Sequence, residues 1–239
     1  MTFEHASPAL ARALAEHGYS APTPVQAAVL KPEAEGRDIL VSAQTGSGKT
    51  VAFGLAMASD ILGGGETLPE AGAPLALVIA PTRELALQVA QELRWLYGKT
   101  GAWVVPCVGG MNPHAERRAL AAGAQIVVGT PGRLRDHLER GALDLSRLAA
   151  VALDEADEML DMGFREDLEF ILDATPEGRR TLLFSATMPK AIVALAKKYQ
   201  HNALRIEAKG ETAGHADIDY RAVRIDARET EKVVINLLR

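Results

Sequence analysis

The sequence predicts an α/β protein in which helices cover both faces of a mostly parallel β-sheet. Short runs rich in β-branched and other apolar residues recur along the chain, and they are apolar at successive positions rather than at alternate ones. Such runs are typical of strands buried on both faces. Helical patterns lie between most of them, and this alternation indicates parallel strands joined by helices. Sheets of this kind bind ligands beyond the carboxyl ends of their strands.

The elements follow in order along the chain. The runs predicted as strands are 39–43, 76–80, 104–108, 126–129, 150–155 and 181–187. The clearest helical patterns are 51–62, 83–98 and 133–141. A loop rich in Gly and Pro occupies 62–74, where a solvated connection is the simplest interpretation. We expect 1–207 to form one domain and 208–217 to be a linker. The strand and amphipathic helix predicted in 218–239 are too few for a core, so they either pack on the first domain or begin a second one.

Composition narrows the class of protein. The chain has 239 residues, of which 48% are hydrophobic, and a formal net charge of −5. This balance gives no global basic surface for nucleic acid, so any such binding must come from a local surface. No apolar run approaches the roughly 20 residues of a membrane span, and the N-terminus lacks the features of a signal peptide. The single cysteine, Cys107, cannot form an internal disulfide. A cytoplasmic protein without a membrane partner is therefore expected.

The segment AQTGSGKT (43–50) lies between a predicted strand and a predicted helix. A Gly-rich turn in that position directs backbone N–H groups and a helix N-terminus toward an anion. Gly46 and Gly48 allow a close approach, Lys49 is placed for the β- and γ-phosphates, and Thr50 offers a hydroxyl to Mg²⁺. The phosphate-loop pattern begins with Gly, whereas this segment begins with Ala43. A Gly-rich turn with an exposed lysine is the alternative.

The segment VALDEADEML (151–160) places four carboxylates at the end of another predicted strand. In phosphate-loop enzymes a carboxylate there holds Mg²⁺, and a neighbour can activate the attacking water. Asp154 and Glu155 are the candidates, although both reach one site only if the backbone turns between them. Carboxylates are also favoured at the first turn of a helix, so helix capping is the alternative.

Seven segments of the chain, in order, resemble the motifs of the DEAD-box ATP-dependent RNA helicases. They are GYSAPTPVQ (18–26), AQTGSGKT (43–50), PTRELA (81–86), GG (109–110), TPGRL (130–134), DEAD (154–157) and SAT (185–187). The match spans residues 3 to 187, nearly all of the first predicted domain. It implies the N-terminal RecA-like domain of that family, with 218–239 resembling the first strand and helix of the second RecA-like domain.

The resemblance implies ATP and Mg²⁺ as cofactors. Gln26 would read the adenine, and Phe3, two residues nearer to Gln26 than in the family pattern, would stack on it. Asp154 and Thr50 would hold Mg²⁺, while Glu155, Lys49 and Asp154 would be catalytic. The implied nucleotide-binding residues are Phe3, Gln26, Thr45, Gly46, Ser47, Gly48, Lys49 and Thr50.

The resemblance also implies RNA as a partner, bound mainly through its sugar-phosphate backbone. Helix N-termini, glycine amides, hydroxyls and arginines bind phosphates without reading bases. The implied RNA-binding residues are Pro81, Thr82, Arg83, Gly109, Gly110, Thr130, Pro131, Gly132 and Arg133. Asp157, Ser185 and Thr187 would couple the nucleotide state to RNA binding, while Glu158 would face solvent.

In the family a second RecA-like domain supplies arginines to the γ-phosphate. We therefore expect this chain alone to bind nucleotide weakly, to hydrolyse ATP barely and not to unwind a duplex. Two alternatives remain open from the residues. One is a phosphate-loop DNA helicase or translocase domain, since nothing in the motifs separates RNA from DNA. The other is an RNA-binding scaffold whose nucleotide site is vestigial.

Overall fold

The structure, a computed structural model, describes Phe3 and residues 5–208. Within that part, seven strands form one sheet in the order β3-β4-β2-β5-β6-β1-β7, and each neighbouring pair is parallel. This confirms the predicted fold class. The strands are β1 (Ile39–Ser42), β2 (Ala76–Ile79), β3 (Val104–Cys107), β4 (Ile126–Gly129), β5 (Ala150–Leu153), β6 (Arg180–Ser185) and β7 (Leu204–Glu207).

Helices cover both faces of the sheet. They are α1 (Pro8–Glu16), α2 (Pro24–Val29), α3 (Lys49–Ala56), α4 (Ala58–Leu62), α5 (Arg83–Leu96), α6 (Pro113–Ala121), α7 (Pro131–Glu139), α8 (Ala156–Asp161), α9 (Arg165–Asp173) and α10 (Lys190–Tyr199). The apolar residues of α1 to α5 form one buried cluster with one face of the strands. Those of α6 to α10 pack with the other face. Every residue of β2, β4, β5 and β6 is buried, which explains the continuous apolar runs of β2, β4 and β5 and of the middle of β6.

The structure corrects several predicted boundaries. Residues 51–62 do not form one helix, because the chain turns at Met57 and α4 begins again at Ala58. The α7 helix starts at Pro131 rather than Arg133, since a proline fits the first helical position without losing a hydrogen bond. The strand β7 was not predicted. It lies at the edge of the sheet, so only Ile206 is buried in a run that is otherwise partly or fully exposed.

The topology gathers six of the seven predicted motifs at one edge of the sheet; the seventh, 18–26, precedes β1 and contacts the phosphate loop. Because the strands are parallel, the segments that follow them all emerge at the carboxyl edge. The neighbouring strands β5, β6 and β1 carry the acidic, SAT and phosphate-loop segments. The neighbouring strands β3, β4 and β2 carry the segments predicted to bind RNA. The edge therefore has two halves, which we call the nucleotide half and the RNA half, and they meet where β5 pairs with β2.

The predicted linker beyond Ala208 and the predicted elements of 218–239 lie outside the described residues, so those assignments stay predictions. Among the described helices, none combines the length and the apolar character that crossing a bilayer requires.

Candidate nucleotide site and nucleic-acid interface

The loop between β1 and α3 has the backbone of a phosphate cradle. Gly46 and Gly48 both adopt left-handed conformations, with φ of 81° and 82°. Gly48 is the residue that caps α3, so the first helical residues, Lys49 and Thr50, follow it directly. Their amides belong to the first turn, whose N–H groups have no partner within the helix. The loop therefore offers backbone donors and a positive helix end to an anion.

The loop is held from one side by the segment before α2. Thr23 Oγ1 donates to the carbonyl of Ser47 at 2.9 Å, and Gln26 Nε2 donates to the carbonyl of Gly48 at 3.3 Å. The backbone N–H of Thr23 donates to Gln26 Oε1 at 3.0 Å, which completes a capping box at the start of α2. Gln26 is fully buried. A second lone pair on its oxygen and a second amide hydrogen are what remain for an adenine base.

Phe3, the residue predicted to stack on adenine, packs against the apolar part of the fold. Its side chain is half-buried and packs against the apolar cluster beneath α1 to α5. The structure thus gives Phe3 a packing role, and its stacking on adenine stays a prediction.

Asp154 directly follows β5 and is almost inaccessible, with 2% of its surface exposed. Its backbone N–H donates to the carbonyl of Ile79 at 2.9 Å, which fixes it at the carboxyl edge. Its Oδ1 is buried and has no hydrogen-bond partner among the described residues. Burial raises the pKa of Asp154 to about 6; the Lys49 ammonium opposes this rise and the Glu155 carboxylate adds to it. A buried carboxylate oxygen without a donor suits a cation, and Mg²⁺ prefers such oxygen ligands.

The backbone turns at Glu155, whose φ of 50° is left-handed and unusual for a residue other than glycine. Asp154 and Glu155 were expected to reach one site only if the backbone turned between them. The left-handed conformation of Glu155 provides that turn. Thr45 Oγ1 donates to Glu155 Oε1 at 3.1 Å, and Lys49 Nζ lies 3.7 Å from the same oxygen. Lys49 is itself buried and also contacts the carbonyl of Ala43 at 3.4 Å. The Glu155 carboxylate therefore sits against the mouth of the phosphate loop.

Asp157 joins the acidic segment to the segment after β6. It accepts hydrogen bonds from Thr187 Oγ1 at 2.7 Å and from the Thr187 N–H at 2.9 Å. Ser185 Oγ donates to the carbonyl of Thr187 at 2.7 Å. Burial raises the pKa of Asp157, but the hydrogen bonds from Thr187 and Ser185 outweigh it and hold that pKa below its usual value. Glu158, the next residue, is exposed.

The RNA half is a connected surface at the starts of α5 and α7. Arg83 begins α5 and donates to the carbonyl of Gly109 at 3.4 Å, so the segment after β2 contacts the segment after β3. Gly110 has a φ of 76°, and a Cβ on it would lie 2.5 Å from Arg83 Nη1. Thr82 caps α5 by accepting the Leu85 N–H at 3.2 Å, which leaves its own hydroxyl hydrogen for another acceptor. Pro81 is buried beneath this turn.

The start of α7 joins the same surface. Thr130 precedes the helix without capping it through its side chain, and Pro131 occupies the first helical position. Gly132 is exposed, and the nearest atom to a Cβ built there is Asp167 Oδ2 at 3.9 Å. Arg133 donates to the carbonyl of Met111 at 3.3 Å, which ties α7 to the segment that follows Gly110.

Sequence reasoning missed residues that support these two halves. Thr23 holds the phosphate loop, and the capping pattern T-x-x-Q was the signal that could have found it. Glu116 and His137 lie behind the RNA half, where Glu116 Oε2 is 2.6 Å from Arg133 Nη1 and 2.7 Å from His137 Nε2. Nothing local in the sequence marks them, because a glutamate and a histidine on charged helices are typical of a solvated surface.

Known proteins of similar sequence match the part of the chain that contains these motifs. The family model described as DEAD/DEAH box helicase matches residues 23–195. The chain is 48% identical over 207 residues to the ATP-dependent RNA helicase DeaD of Klebsiella pneumoniae, covering 86% of this chain and 31% of that protein. It is 45% identical over 223 residues to the ATP-dependent RNA helicase DeaD of Mycobacterium tuberculosis, covering 91% of this chain and 38% of that protein.

A solved structure is similar over nearly the whole chain. The crystal structure of a DEAD box protein from the hyperthermophile Methanococcus jannaschii has a TM-score of 0.77 and 38% sequence identity, covering 98% of this chain and 61% of that one. The chain spans about a third of the length of the curated relatives it matches.

Proposed function

Because this chain belongs to the DEAD/DEAH box helicase family, we propose that it is the part of an ATP-dependent RNA helicase that binds adenine nucleotide and grips the RNA backbone. The observation that carries the proposal is the carboxyl edge of the sheet. There the phosphate loop, the acidic segment and the RNA half emerge from one continuous row of parallel strands.

The phosphate loop supports binding of a nucleoside triphosphate. Amides of the loop and of the first turn of α3 bind the phosphates, and the buried Lys49 adds a positive charge at the mouth of the loop. Lys49 Nζ now lies near Glu155 Oε1 and the Ala43 carbonyl, so it can turn toward a γ-phosphate without leaving its pocket. Thr45, Ser47 and Gln26 complete the loop, and Gln26 selects adenine with the hydrogen-bonding capacity that Thr23 and Gly48 leave to it.

Asp154 and Thr50 fit a divalent cation. The Oδ1 of Asp154 is buried without a donor, and a metal or a metal-bound water would satisfy it. Bound Mg²⁺ supplies charge neutralisation for the triphosphate. Asp154 holds its place through the bond from its N–H to Ile79, and Thr50 offers its hydroxyl from the first turn of α3. Glu155, freed from Thr45, would orient a water and accept its proton.

The coupling role of Asp157, Ser185 and Thr187 is supported by their hydrogen bonds across β5 and β6. A shift of the acidic segment on nucleotide binding would move the SAT segment through the bonds between Asp157 and Thr187. Because β6 lies between β1 and β5, this segment contacts both sides of the nucleotide half.

The RNA half is proposed to bind phosphates of a single strand. Thr82 and Thr130 offer hydroxyls, Gly109 and Gly132 offer exposed backbone, and Arg83 offers a guanidinium. Gly110, Pro131 and Arg133 shape the surface between them. Since few charges are involved, a chain with a net charge of −5 can bind RNA at this edge.

We assign hydrolysis and unwinding to the whole protein rather than to this chain alone. The chain spans about a third of its curated relatives, and we propose that a second RecA-like domain completes the catalytic site. An arginine supplied to the γ-phosphate is worth about 10³–10⁵ in turnover in related enzymes. We therefore expect slow hydrolysis by this chain alone and duplex unwinding only by a longer chain.

The test is a titration of fluorescent ADP and ATP into this chain, with and without Mg²⁺ and single-stranded RNA. We expect ATP binding that strengthens with Mg²⁺ and that favours adenine over guanine nucleotides. Lys49→Ala should abolish nucleotide binding, while Lys197→Ala, a change of an exposed lysine in the last turn of α10, should leave it unchanged. ATP affinity that is the same in Lys49→Ala as in the unmodified chain would refute the site. RNA binding that is no stronger than binding of single-stranded DNA of the same sequence would favour a DNA translocase instead.

A further inference from the structure

A buried carboxylate, that of Glu116, lies behind the RNA half. It contacts the residue that follows β3 and two residues of α7. Glu116, on α6, is 4% exposed. Its Oε1 accepts the backbone N–H of Val108 at 3.0 Å, and its Oε2 accepts Arg133 Nη1 at 2.6 Å and His137 Nε2 at 2.7 Å. One side chain thereby connects the end of β3 with two successive turns of α7.

These contacts hold both flanks of the Gly109–Gly110 loop. Glu116 fixes the residue before the loop directly, through the N–H of Val108. It fixes the residue after the loop indirectly, because Arg133 donates to the carbonyl of Met111 through Nη1 at 3.3 Å and Nη2 at 3.4 Å. The backbone of the glycine pair is thus set by Glu116 and Arg133 together, although neither belongs to the loop.

Burial and hydrogen bonds hold the Arg133 side chain in one orientation. Its side chain is only 15% exposed, and Nη1 divides its hydrogens between Glu116 and Met111. A guanidinium has five N–H donors in a fixed plane. Nη1 and Nη2 contact Glu116 and Met111, which leaves the Nε hydrogen and one Nη2 hydrogen for another acceptor, in an orientation that Glu116 helps to fix. Arg133 therefore differs from Arg83, which is exposed and whose guanidinium donates a hydrogen bond only to the Gly109 carbonyl among the described residues.

The same cluster could be mistaken for a metal site, since Cys107 Sγ lies within 4.8 Å of the Glu116 and His137 ligand atoms. Both oxygens of Glu116 already accept hydrogen bonds, and Arg133 brings a positive charge to one of them. Burial, followed by the charge of Glu116, raises the pKa of Cys107 to about 12, so the thiol stays protonated. The cluster is a hydrogen-bond network.

We infer that Glu116 is a positioning residue for RNA: it orients the Arg133 guanidinium and the Gly109–Gly110 backbone toward one phosphate of a single strand. This inference rests on the proposed function, because it concerns how the RNA half binds its ligand. Charge alone gives the opposite expectation, since a carboxylate near the RNA half should repel phosphates. The sign of the effect of removing Glu116 therefore separates positioning from simple electrostatics.

The experiment measures binding of a fluorescein-labelled oligouridylate to the 239-residue chain by anisotropy. Arg133→Ala should weaken binding about tenfold, the equivalent of one charge-assisted contact. Glu116→Ala should weaken it by a similar factor although it removes a negative charge. The double variant should bind no more weakly than the weaker single variant, because both changes remove the same contact. Glu116→Gln, which keeps one acceptor oxygen, should bind with intermediate affinity.

Asp60→Ala is the matched control for a merely structural effect. It removes the carboxylate 3.0 Å from the buried Arg180, at the amino end of β6 and so away from the carboxyl edge. This variant should lower the melting temperature and leave RNA affinity unchanged. If Glu116→Ala does not fold, the cycle of Glu116→Gln with Arg133→Ala makes the same comparison.

Several outcomes would overturn the inference. Tighter RNA binding by Glu116→Ala, or fully additive losses in the double variant, would show that Glu116 does not act through Arg133. If the unmodified chain binds no RNA at all, the proposed function fails together with the inference. A second measurement needs no RNA: NMR of the Arg133 side chain should show hindered guanidinium rotation that Glu116→Ala releases. Equal rotation in both proteins would also contradict positioning.

Discussion

Asp154 is a residue whose burial opposes its ionised state. Desolvation favours the neutral acid, and the neighbouring Glu155 carboxylate adds to that preference, so the pKa rises to about 6. The Lys49 ammonium only partly compensates. Such an arrangement lowers the stability of the protein without its ligand. The binding of a cation by Asp154 would explain this loss of stability.

Replacing Asp154 by Asn should therefore stabilise the chain. The folded-state pKa of about 6 lies above the ordinary aspartate value of 3.8, so the unfolding free energy falls as pH rises from about 4 to about 6 and stays low above it. From that shift, Asp154→Asn should gain up to about 3 kcal/mol at pH 7.5 in the absence of Mg²⁺. Thermal denaturation without nucleotide checks this, and the gain should shrink below pH 5.

Asp157 supplies a control of opposite sign, three residues further along. Hydrogen bonds from Thr187 and Ser185 outweigh its burial and lower its pKa, so its ionised form stabilises the fold. That stability is present above the unfolded pKa and is lost as pH falls through the lowered value. Asp157→Asn should accordingly lower the melting temperature at pH 7.5. If both variants shift the melting temperature in the same direction, the electrostatic account of Asp154 is wrong.

At the scale of elements, the phosphate loop contains two glycines with the same backbone and different surroundings. Both have φ near 80°, but a Cβ on Gly46 would meet nothing within 4 Å, whereas one on Gly48 would lie 2.5 Å from Gln26 Nε2. Gly46→Ala should lose only about 1–2 kcal/mol, the cost of a left-handed conformation. Gly48→Ala should lose more, because it also displaces Gln26 and the capping box of α2. Chemical denaturation of the nucleotide-free chain measures both, and equal losses would mean that Gln26 does not brace the loop.

The start of α7 offers a test of phosphate approach. Gly132 has room for a methyl group within the domain, since the nearest atom would be 3.9 Å away. Alanine is also the better helix former, so Gly132→Ala should leave stability unchanged or slightly raised. It should nevertheless weaken RNA binding, because the added methyl group would occupy space that a phosphate needs. Anisotropy with labelled RNA measures the loss.

Gly178→Ala is the control for that substitution. A Cβ on Gly178 would meet nothing within 4 Å, so it too has room for a methyl group, and the residue precedes β6 at the opposite edge of the sheet. This variant should bind RNA as the unmodified chain does. RNA affinity that is unchanged in Gly132→Ala as well would mean that no phosphate approaches the start of α7.

The elements also show which features sequence reasoning reaches. The parallel sheet was predictable because β2, β4, β5 and β6 are apolar on both faces, and the fold class is confirmed. The strand β7 was not predictable, since at the edge of the sheet only Ile206 is buried and its run carries no continuous apolar signal. Glu116 was missed for a related reason: its three partners lie 8, 17 and 21 residues away, and only the fold brings Glu116 to the end of β3 and the start of α7.

At the scale of the whole molecule, the sheet order places two kinds of chemistry side by side. The strand β5, which carries Asp154 and Glu155, pairs with β2, which carries Thr82 and Arg83. A displacement of the acidic segment can therefore reach the RNA half through one strand pair, without a change in the rest of the sheet. Among the residues assigned to the RNA half only Arg83 and Arg133 are basic, and the chain as a whole has more acidic than basic residues, 31 against 26.

This small number of cations predicts a shallow salt dependence of RNA binding. If Arg83 and Arg133 are the two cations that neutralise phosphates, the slope of log K against log salt should be about −1.4, at roughly −0.7 for each phosphate on a single strand. Arg83→Ala should reduce the slope by about 0.7, and Arg205→Ala, an exposed arginine on β7 at the far edge of the sheet, should not change it. Anisotropy titrations between 50 and 200 mM salt, a range of about fourfold, measure the slope. A slope near zero would remove phosphate binding from the RNA half, and a much steeper one would mean that more cations than these two neutralise phosphates.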